Sequence, residues 1–488
     1  MPEPADPSSL RRSVFRLVWP ATAENLLQLL VGFVNLGMVG RLGADALGAV
    51  GLANRLVQIV WALFLAFGTG AVIRVAQAVG ARDEQAARHT AEQSLVGAAL
   101  FVLVLALGLI LWPGAFLSVF RPAPEVVAAG SPYLRLLALG MPVFTFMLVA
   151  GSVLRGAGDT RTPMLVALLV NVLNLAGNYA LIFGRWGLPA LGLPGSALAT
   201  VLAQGAGAAV ALAYLLSRRS RVRVTLAGLF RFDWRENSAT FLLGLPNALE
   251  TLAWQIAAVI LVGLILTHGT AALAGYQVGL TVEGLSYLPA GAFYLAATAL
   301  VGQALGARDP DLARRSVEEI TRLSLSATVL LAALLFLVPG PVVRLLTGDP
   351  RVIAVAVVYL RFMAFAQLPQ NLAGVLNGAL RGTGRTREPL VAMALGLWGV
   401  RLPLALLFTG SFGWGLPGIW WAIDLDLVAR LLVTVYFYRR GMRQAGLLRT
   451  VPDDVQGAAG SLPGKPGRNT GGDTRTGVMN PGTTEHHV

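Results

Sequence analysis

Apolar residues run along this chain in blocks of about twenty, as in Leu95–Trp112, Met164–Phe183 and Leu323–Val338 with its flanks, separated by short loops that hold most of the arginines. A helix of that length reaches roughly 30 Å, the thickness of a bilayer's hydrocarbon core. The pattern predicts membrane helices at 14–40, 46–72, 91–112, 131–154, 163–184, 193–217, 240–266, 270–300, 320–346, 353–380, 389–410 and 416–438, with ends set only to within several residues. The first apolar block, Leu10–Val39, has no clear small-residue cleavage site and is expected to remain as a membrane helix. From about Val451 onward Gly, Pro, Thr and Asp replace the apolar period, which predicts a disordered tail.

A second pattern lies over the first. At an offset of 226, Pro20 meets Pro246 and Glu24 meets Glu250. Gln77-Ala78-Val79-Gly80-Ala81-Arg82-Asp83 meets Gln303-Ala304-Leu305-Gly306-Ala307-Arg308-Asp309, and Arg155-Gly156-Ala157-Gly158 meets Arg381-Gly382-Thr383-Gly384. Thr160 to Pro163 meets Thr386 to Pro389, and near helix 6 the offset falls to 223, where Gly192-Leu193-Pro194-Gly195 meets Gly415-Leu416-Pro417-Gly418. Unrelated apolar helices would share leucines, not charged and glycine loop residues in register. The expected fold is therefore all-α and membrane-integral. It has twelve transmembrane helices in two six-helix bundles, related by a pseudo-twofold axis along the membrane normal, with a substrate site near the midplane between them. The expected units are an N-terminal lobe over 1–217, a basic linker over 218–239, a C-terminal lobe over 240–448 and a tail over 449–488.

Composition agrees with a membrane protein: 55% of residues are hydrophobic and 13% charged, about half the charged share of a soluble domain. The formal charge of +13 does not indicate nucleic acid, because the arginines sit in short loops between apolar blocks. They crowd the N-terminus (Arg11, Arg12, Arg16), the linker (Arg218 to Arg235), the loop after helix 8 (Arg308, Arg314, Arg315, Arg322) and the C-terminal flank (Arg439, Arg440, Arg443), and are sparse in loops of the other parity. The positive-inside rule then puts both termini in the cytoplasm, with the chain in the inner membrane, and the linker is basic enough to lie on the inner leaflet. The absence of cysteine excludes disulfide and thiol chemistry. With four histidines in or beside loops and the tail, no metal or cofactor site is expected, and the loops lack the lysine of an ATP-driven pump.

Several segments together resemble the multidrug and toxic compound extrusion (MATE) transporters. They are Met38-Val39-Gly40-Arg41-Leu42-Gly43 with Leu47–Asn54, Ala299–Asp309, the two Arg-Gly-x-Gly loops ending in Pro163 and Pro389, and Gly244-Leu245-Pro246 with Glu250. The resemblance covers roughly residues 14–440. It implies a cation- or proton-driven antiporter, not an enzyme, that exports amphipathic, often cationic, organic compounds by rocking two lobes. It implies a monomer among membrane lipids, with H+ or Na+ as the coupling ion. Three positions depart from the family. Its aspartate on the outer part of helix 1 is here Asn35, an acid that some members carry on helix 5 is Asn178, four residues after Asn174, and a helix-10 acid falls at Gln370.

Buried charge in a bilayer costs at least ~2.5–3.5 kcal/mol on insertion scales, so each intramembrane acid needs a reason. Glu24 and Glu250, each about ten residues into its predicted helix, would lie roughly 15 Å deep, and Glu283 at a similar depth. Gln28 and Asn35 share a face with Glu24; Asn171, Asn174 and Asn178 share one on helix 5; Gln367, Gln370 and Asn371 give helix 10 a polar patch. Asparagines of this kind also serve as interhelical glue worth about 1 kcal/mol. Arg55, Arg401 and Arg430 are expected to pair with acids such as Asp424 and Asp426 or to snorkel. A lipid-linked oligosaccharide flippase of similar helix organisation is the alternative, but its pyrophosphate cargo would call for cationic walls where this chain places glutamates. Burial of a carboxylate favours its protonated form, which leans towards H+ over Na+, with Glu250 as the first candidate.

Overall fold

The computed structural model describes residues 7–42, 44–119 and 124–444, so the tail and the side chain of Arg55 lie outside the described residues. Within them lie twelve long helices: α1 Pro7–Gly40, α2 Ala44–Gly80, α3 Glu84–Leu111, α4 Pro124–Gly156, α5 Arg161–Phe183, α6 Gly192–Leu216, α7 Trp234–Leu266, α8 Thr270–Gly306, α9 Pro310–Leu337, α10 Pro350–Gly382, α11 Arg387–Ser411 and α12 Leu416–Gln444. Eleven are apolar enough to cross a bilayer by composition alone. The exception, α12, is 29 residues long and concentrates Asp424, Asp426 and Arg430 on its length. Val104, Val259, Leu330 and Leu432 point outward from the bundle, which would be a liability in water and is the expected surface in lipid.

The loop motifs explain where helices stop. α2 ends as Arg82 turns left-handed (φ 58°), and Asp83 then accepts a hydrogen bond from the Ala86 N–H at 2.8 Å to begin α3. One repeat later, α8 ends at Arg308 (φ 54°) and Asp309 caps α9 through the Leu312 N–H at 2.8 Å. Gly158 and Gly384, at φ 84° and 85°, make the matching turn after α4 and α10, a conformation that only glycine adopts without cost.

Some expected boundaries move. α7 starts at Trp234 instead of 240, because Asp233 caps it and Glu236 stands three residues on, a polar start signal that apolar length does not register. The bond from the Glu236 N–H, then those from His89 and the Arg235 N–H, hold the Asp233 carboxyl below the ordinary aspartate range. The helix expected at 320–346 is interrupted: α9 ends at Leu337, and Pro339 opens a separate short helix, Pro339–Arg344. Pro113 does the same one repeat earlier, opening Pro113–Ser118 after α3. Proline lacks the N–H that a continuing helix needs, but suits a first turn.

Packing repeats with the sequence. α4 lies against α2, α3 and α6, and α10 against α8, α9 and α12. The first helix of each half reaches across: α1 packs on α8, and α7 on α2. Val14, Leu17, Val18 and Ala21 of α1 share a buried cluster with Ala292, Phe293, Ala296 and Ala297 of α8. Small residues dominate that face of α8, which lets helix backbones approach closely where no hydrophobic force drives them together. At the arginine-rich end α2 and α8 cross in contact. A Cβ on Gly80 would lie 2.0 Å from the Gln303 carbonyl oxygen, and one on Gly306 1.9 Å from that of Gln77. The linker is strapped to α3 by Glu92, which accepts from the Thr225 N–H at 2.7 Å, and by Gln93, which donates to the Arg231 carbonyl at 2.9 Å.

Candidate functional site

The intramembrane polar residues gather in four places. The first is a cavity of about 620 Å³ walled mainly by α1, α2, α4 and α5, with α7, α8 and α10 closing one side. Glu24, Gln28 and Asn171 face it, among aromatic and aliphatic residues such as Trp61, Phe144 and Met147. Glu24 does not stand alone: the Arg155 guanidinium, in the last turn of α4, donates to its two oxygens at 3.3 and 3.4 Å.

The second place is the same arrangement one repeat on. Arg381, in the last turn of α10, donates to Glu250 and lies over the Tyr294 ring at 4.9 Å. Arg381 also lines the cavity. The sequence pointed to both glutamates but left Arg155 and Arg381 as loop residues. The signal was present: the two arginines are separated by the same 226 positions as the two glutamates.

The third place joins Asn35, Asn174 and Asn178. Asn35 donates to Asn174 at 2.7 Å, Asn178 donates to Asn35 at 2.8 Å, and Asn174 donates to the Thr200 hydroxyl at 2.9 Å. This amide network ties α1 to α5 and α6, with Asn178 fully buried. It lies apart from the residues that line the cavity.

The fourth place is inside the C-terminal lobe. Glu283, 1% exposed, accepts hydrogen bonds from the Tyr287 and Tyr359 hydroxyls, with the Gln367 amide at 3.5 Å. Gln370 touches the edge of this group through Tyr287 at 3.5 Å, and Asn371 turns away to the Thr328 hydroxyl at 2.8 Å. Asp426, fully buried, takes both Arg401 at 2.7 Å and Arg430. Asp424, two residues earlier on α12, shares neither arginine. The α11 backbone relaxes into π-helical turns over Leu395–Arg401 and Leu407–Ser411, and Gly396 gives Asp426 its room: a Cβ there would lie 2.1 Å from Oδ1. π-turns recur at functional sites. Among the described residues no three His, Cys, Asp or Glu side chains converge as a metal site.

The sequence-predicted residues thus divide. Glu24 and Gln28 share the cavity, Glu250 lies behind Arg381 beside it, the three asparagines form their own network, and Glu283 with Gln370 belongs to the opposite lobe.

Known proteins resemble this chain along most of its length. The MatE family model matches twice, over residues 20–180 and 244–407, once in each half. A probable multidrug resistance protein NorM of Thermotoga maritima is 32% identical over 433 residues, covering 88% of this chain and 93% of the relative. The protein of the same name in Pseudomonas aeruginosa is 31% identical over 431 residues, covering 84% and 86%. Among solved structures, an outward-facing multidrug resistance MATE family transporter superposes with a TM-score of 0.83 over 90% of this chain and 97% of the other at 22% identity. A MOP superfamily transporter from Pyrococcus furiosus gives 0.82 over the same shares, also at 22% identity. These likenesses show the same two-lobed, twelve-helix fold. The chain belongs to the MatE family, whose members are membrane transporters and not enzymes.

Proposed function

We propose that the protein is a secondary active antiporter of the cytoplasmic membrane. It exports amphipathic, cationic organic compounds by alternating access between its lobes, driven by H+, with Na+ as the other candidate ion. The observation that carries this reading is the cavity: about 620 Å³ of space with aromatic and aliphatic walls and an acid, Glu24, held by the Arg155 guanidinium. An amphipathic cation can lie along such walls and compete with Arg155 for Glu24. Glu250 supplies the release step. A proton on Glu250 frees Arg381, which lines the same cavity, and the added positive charge there expels a cationic cargo. Both arginines are matched by glutamates, so the cavity has no excess positive charge to hold the pyrophosphate of a lipid-linked oligosaccharide.

The arginine distribution supports a topology with both termini in the cytoplasm and the α2–α8 crossing on the cytoplasmic side. The remaining assignments are a monomer in contact with lipids, lobes over 1–217 and 240–448, a linker over 218–239 and a dispensable tail over 449–488. The test is proton flux in liposomes containing the full chain. A fluorescent organic cation should stimulate flux and an anionic dye of similar size should not; equal stimulation by both would overturn the substrate class, and none by either would overturn antiport.

A further inference from the structure

Asp424 has no role in the cavity, and its surroundings are unusual. It is 9% exposed, on a helix that must lie in the membrane, and its Oδ1 is buried without a hydrogen-bond partner. Both nearby arginines are engaged by Asp426. The field of Asp424 overlaps those of Glu283 and Arg401, so the three acids Glu283, Asp424 and Asp426 and the two guanidiniums Arg401 and Arg430 form one electrostatic group. With every member ionised the group has one negative charge too many. Glu250 also reaches Arg430, but Glu250 is balanced by Arg381.

Every other charged member of this group has its compensation. Glu283 takes two tyrosine hydroxyls, and Asp426 takes two guanidiniums. The other titratable groups facing it are Tyr276 on α8, stacked on Trp420 at 5.6 Å, and Tyr359 on α10, edge-on to Trp420 at 4.9 Å. Neither is a cation. A buried carboxylate oxygen without a hydrogen bond, on a side chain with no guanidinium paired to it, is costly to ionise, and one bound proton removes that cost. A metal ion is the poorer match, because the oxygens it would need are already accepting from tyrosines and arginines.

We infer that Asp424 is a proton-binding site of the C-terminal lobe, the place where the excess charge of the Glu283–Asp426–Arg401–Arg430 group is neutralised. This deepens the proton-driven reading above and rests on it for its role in transport: a second acid, remote from the cavity, takes up a proton during the cycle. On deprotonation the proton leaves to water, and the group returns to its excess negative charge.

The test is infrared difference spectroscopy on the purified full chain, titrated across neutral pH in light and heavy water. The carbonyl band of a protonated carboxylic acid should appear, be absent from Asp424→Asn and remain in the surface control Asp311→Asn. Asp424→Glu should move the band and not abolish it, which guards against a variant lost to misfolding. A band unchanged in Asp424→Asn overturns the assignment, as does loss of the band on adding NaCl at constant pH, which would make the site one for Na+. The band is read without transport, so failure of the liposomes to show stimulated flux would count against antiport and leave the site standing.

Discussion

Replacing the two glutamines that bridge the lobes should loosen the arginine-rich end of the bundle. Gln77 on α2 donates to the Gly382 carbonyl at the end of α10 at 2.9 Å, and Gln303 on α8 donates to the Gly156 carbonyl at the end of α4 at 3.0 Å. The two bonds are repeat-related, each crosses from one half to the other, and each ends one residue beyond the arginine that holds Glu24 or Glu250. A neutral hydrogen bond contributes about 1 kcal/mol net, so Gln77→Ala with Gln303→Ala removes about 2 kcal/mol from this closed arrangement. At 1.4 kcal/mol per tenfold, the ratio of closed to open molecules falls roughly 30-fold. The chain contains no cysteine, so a pair of introduced thiols reports without background. Arg161→Cys and Arg387→Cys place spin labels on exposed first residues of α5 and α11, one in each half. Double electron–electron resonance should show a longer-distance population growing in the double alanine variant, and about half the free-energy change in either single variant. A distance distribution identical to the parent's would refute the latch, since the bonds would then be present in both states or in neither.

Four further outcomes follow from the same geometry. Gly306→Ala places a methyl 1.9 Å from the Gln77 carbonyl, so it should open the same labelled distance and lower thermal stability, the α2 and α8 backbones having to separate. Asn35→Ala leaves Asn174 and Asn178 short of a partner and should destabilise the detergent-solubilised protein by ~1–3 kcal/mol, read as a lower melting temperature. The Asp233 cap, with its carboxyl held below the ordinary value of 3.8, supports the start of α7 at all pH above that value and loses this support as pH falls through the lower folded value; amide exchange at Arg235 and Glu236, corrected for intrinsic rates, should stay protected down to about pH 4 and then rise. Glu250→Gln keeps the shape but cannot titrate, so it should insert normally and lose proton-driven export; wild-type export would remove Glu250 from the cycle.

The fold was readable because bilayer helices are long and loop chemistry is local. Arg82-Asp83 and Arg308-Asp309 announce a left-handed stop followed by a cap, and both occur where the repeat put them. What hydropathy missed lies beyond the hydrocarbon: Glu84 to Thr90 and Pro310 to Glu319 are polar helix starts fixed by caps, invisible to an apolar window. The site was readable in part. Periodicity put Asn174 and Asn178 on one face, and they do meet Asn35, but it could not say that Glu24 faces Arg155 across 131 positions. The charge excess at Asp424 was harder still. It depends on which carboxylate of an i, i+2 pair points at Arg401, which lies at the end of a π-helical turn that a regular helical period does not describe.

The pseudo-twofold holds for some chemistry and fails for the rest, and the division has a consequence. Gln77 and Gln303, Gly80 and Gly306, Glu24 and Glu250, Arg155 and Arg381 are all kept in both halves, and all serve contacts at or near the arginine-rich crossing. The deeper polar groups are not kept. One repeat away from Asn35, Asn174 and Asn178 stand Leu261, Val400 and Leu404; one repeat back from Glu283, Arg401, Asp424, Asp426 and Arg430 stand Val57, Leu175, Val201, Ala203 and Gly207. Each lobe therefore encloses a polar nucleus where its partner is apolar, neutral amides in the first and charges in the second. Contacts that join the two lobes must fit on both sides of the axis, which preserves their symmetry. An ion site has no such constraint, and a single copy sets how many charges move per cycle. The amide nucleus has no group that titrates near neutral pH, so under the proposed proton coupling any uptake beyond Glu250 falls to the C-terminal lobe, and a ligand can bias an equilibrium only through the state that binds it better. On that proposal the lobe that carries Asp424 is the one whose packing changes with protonation, through α12 and the π-turned α11 against which it lies.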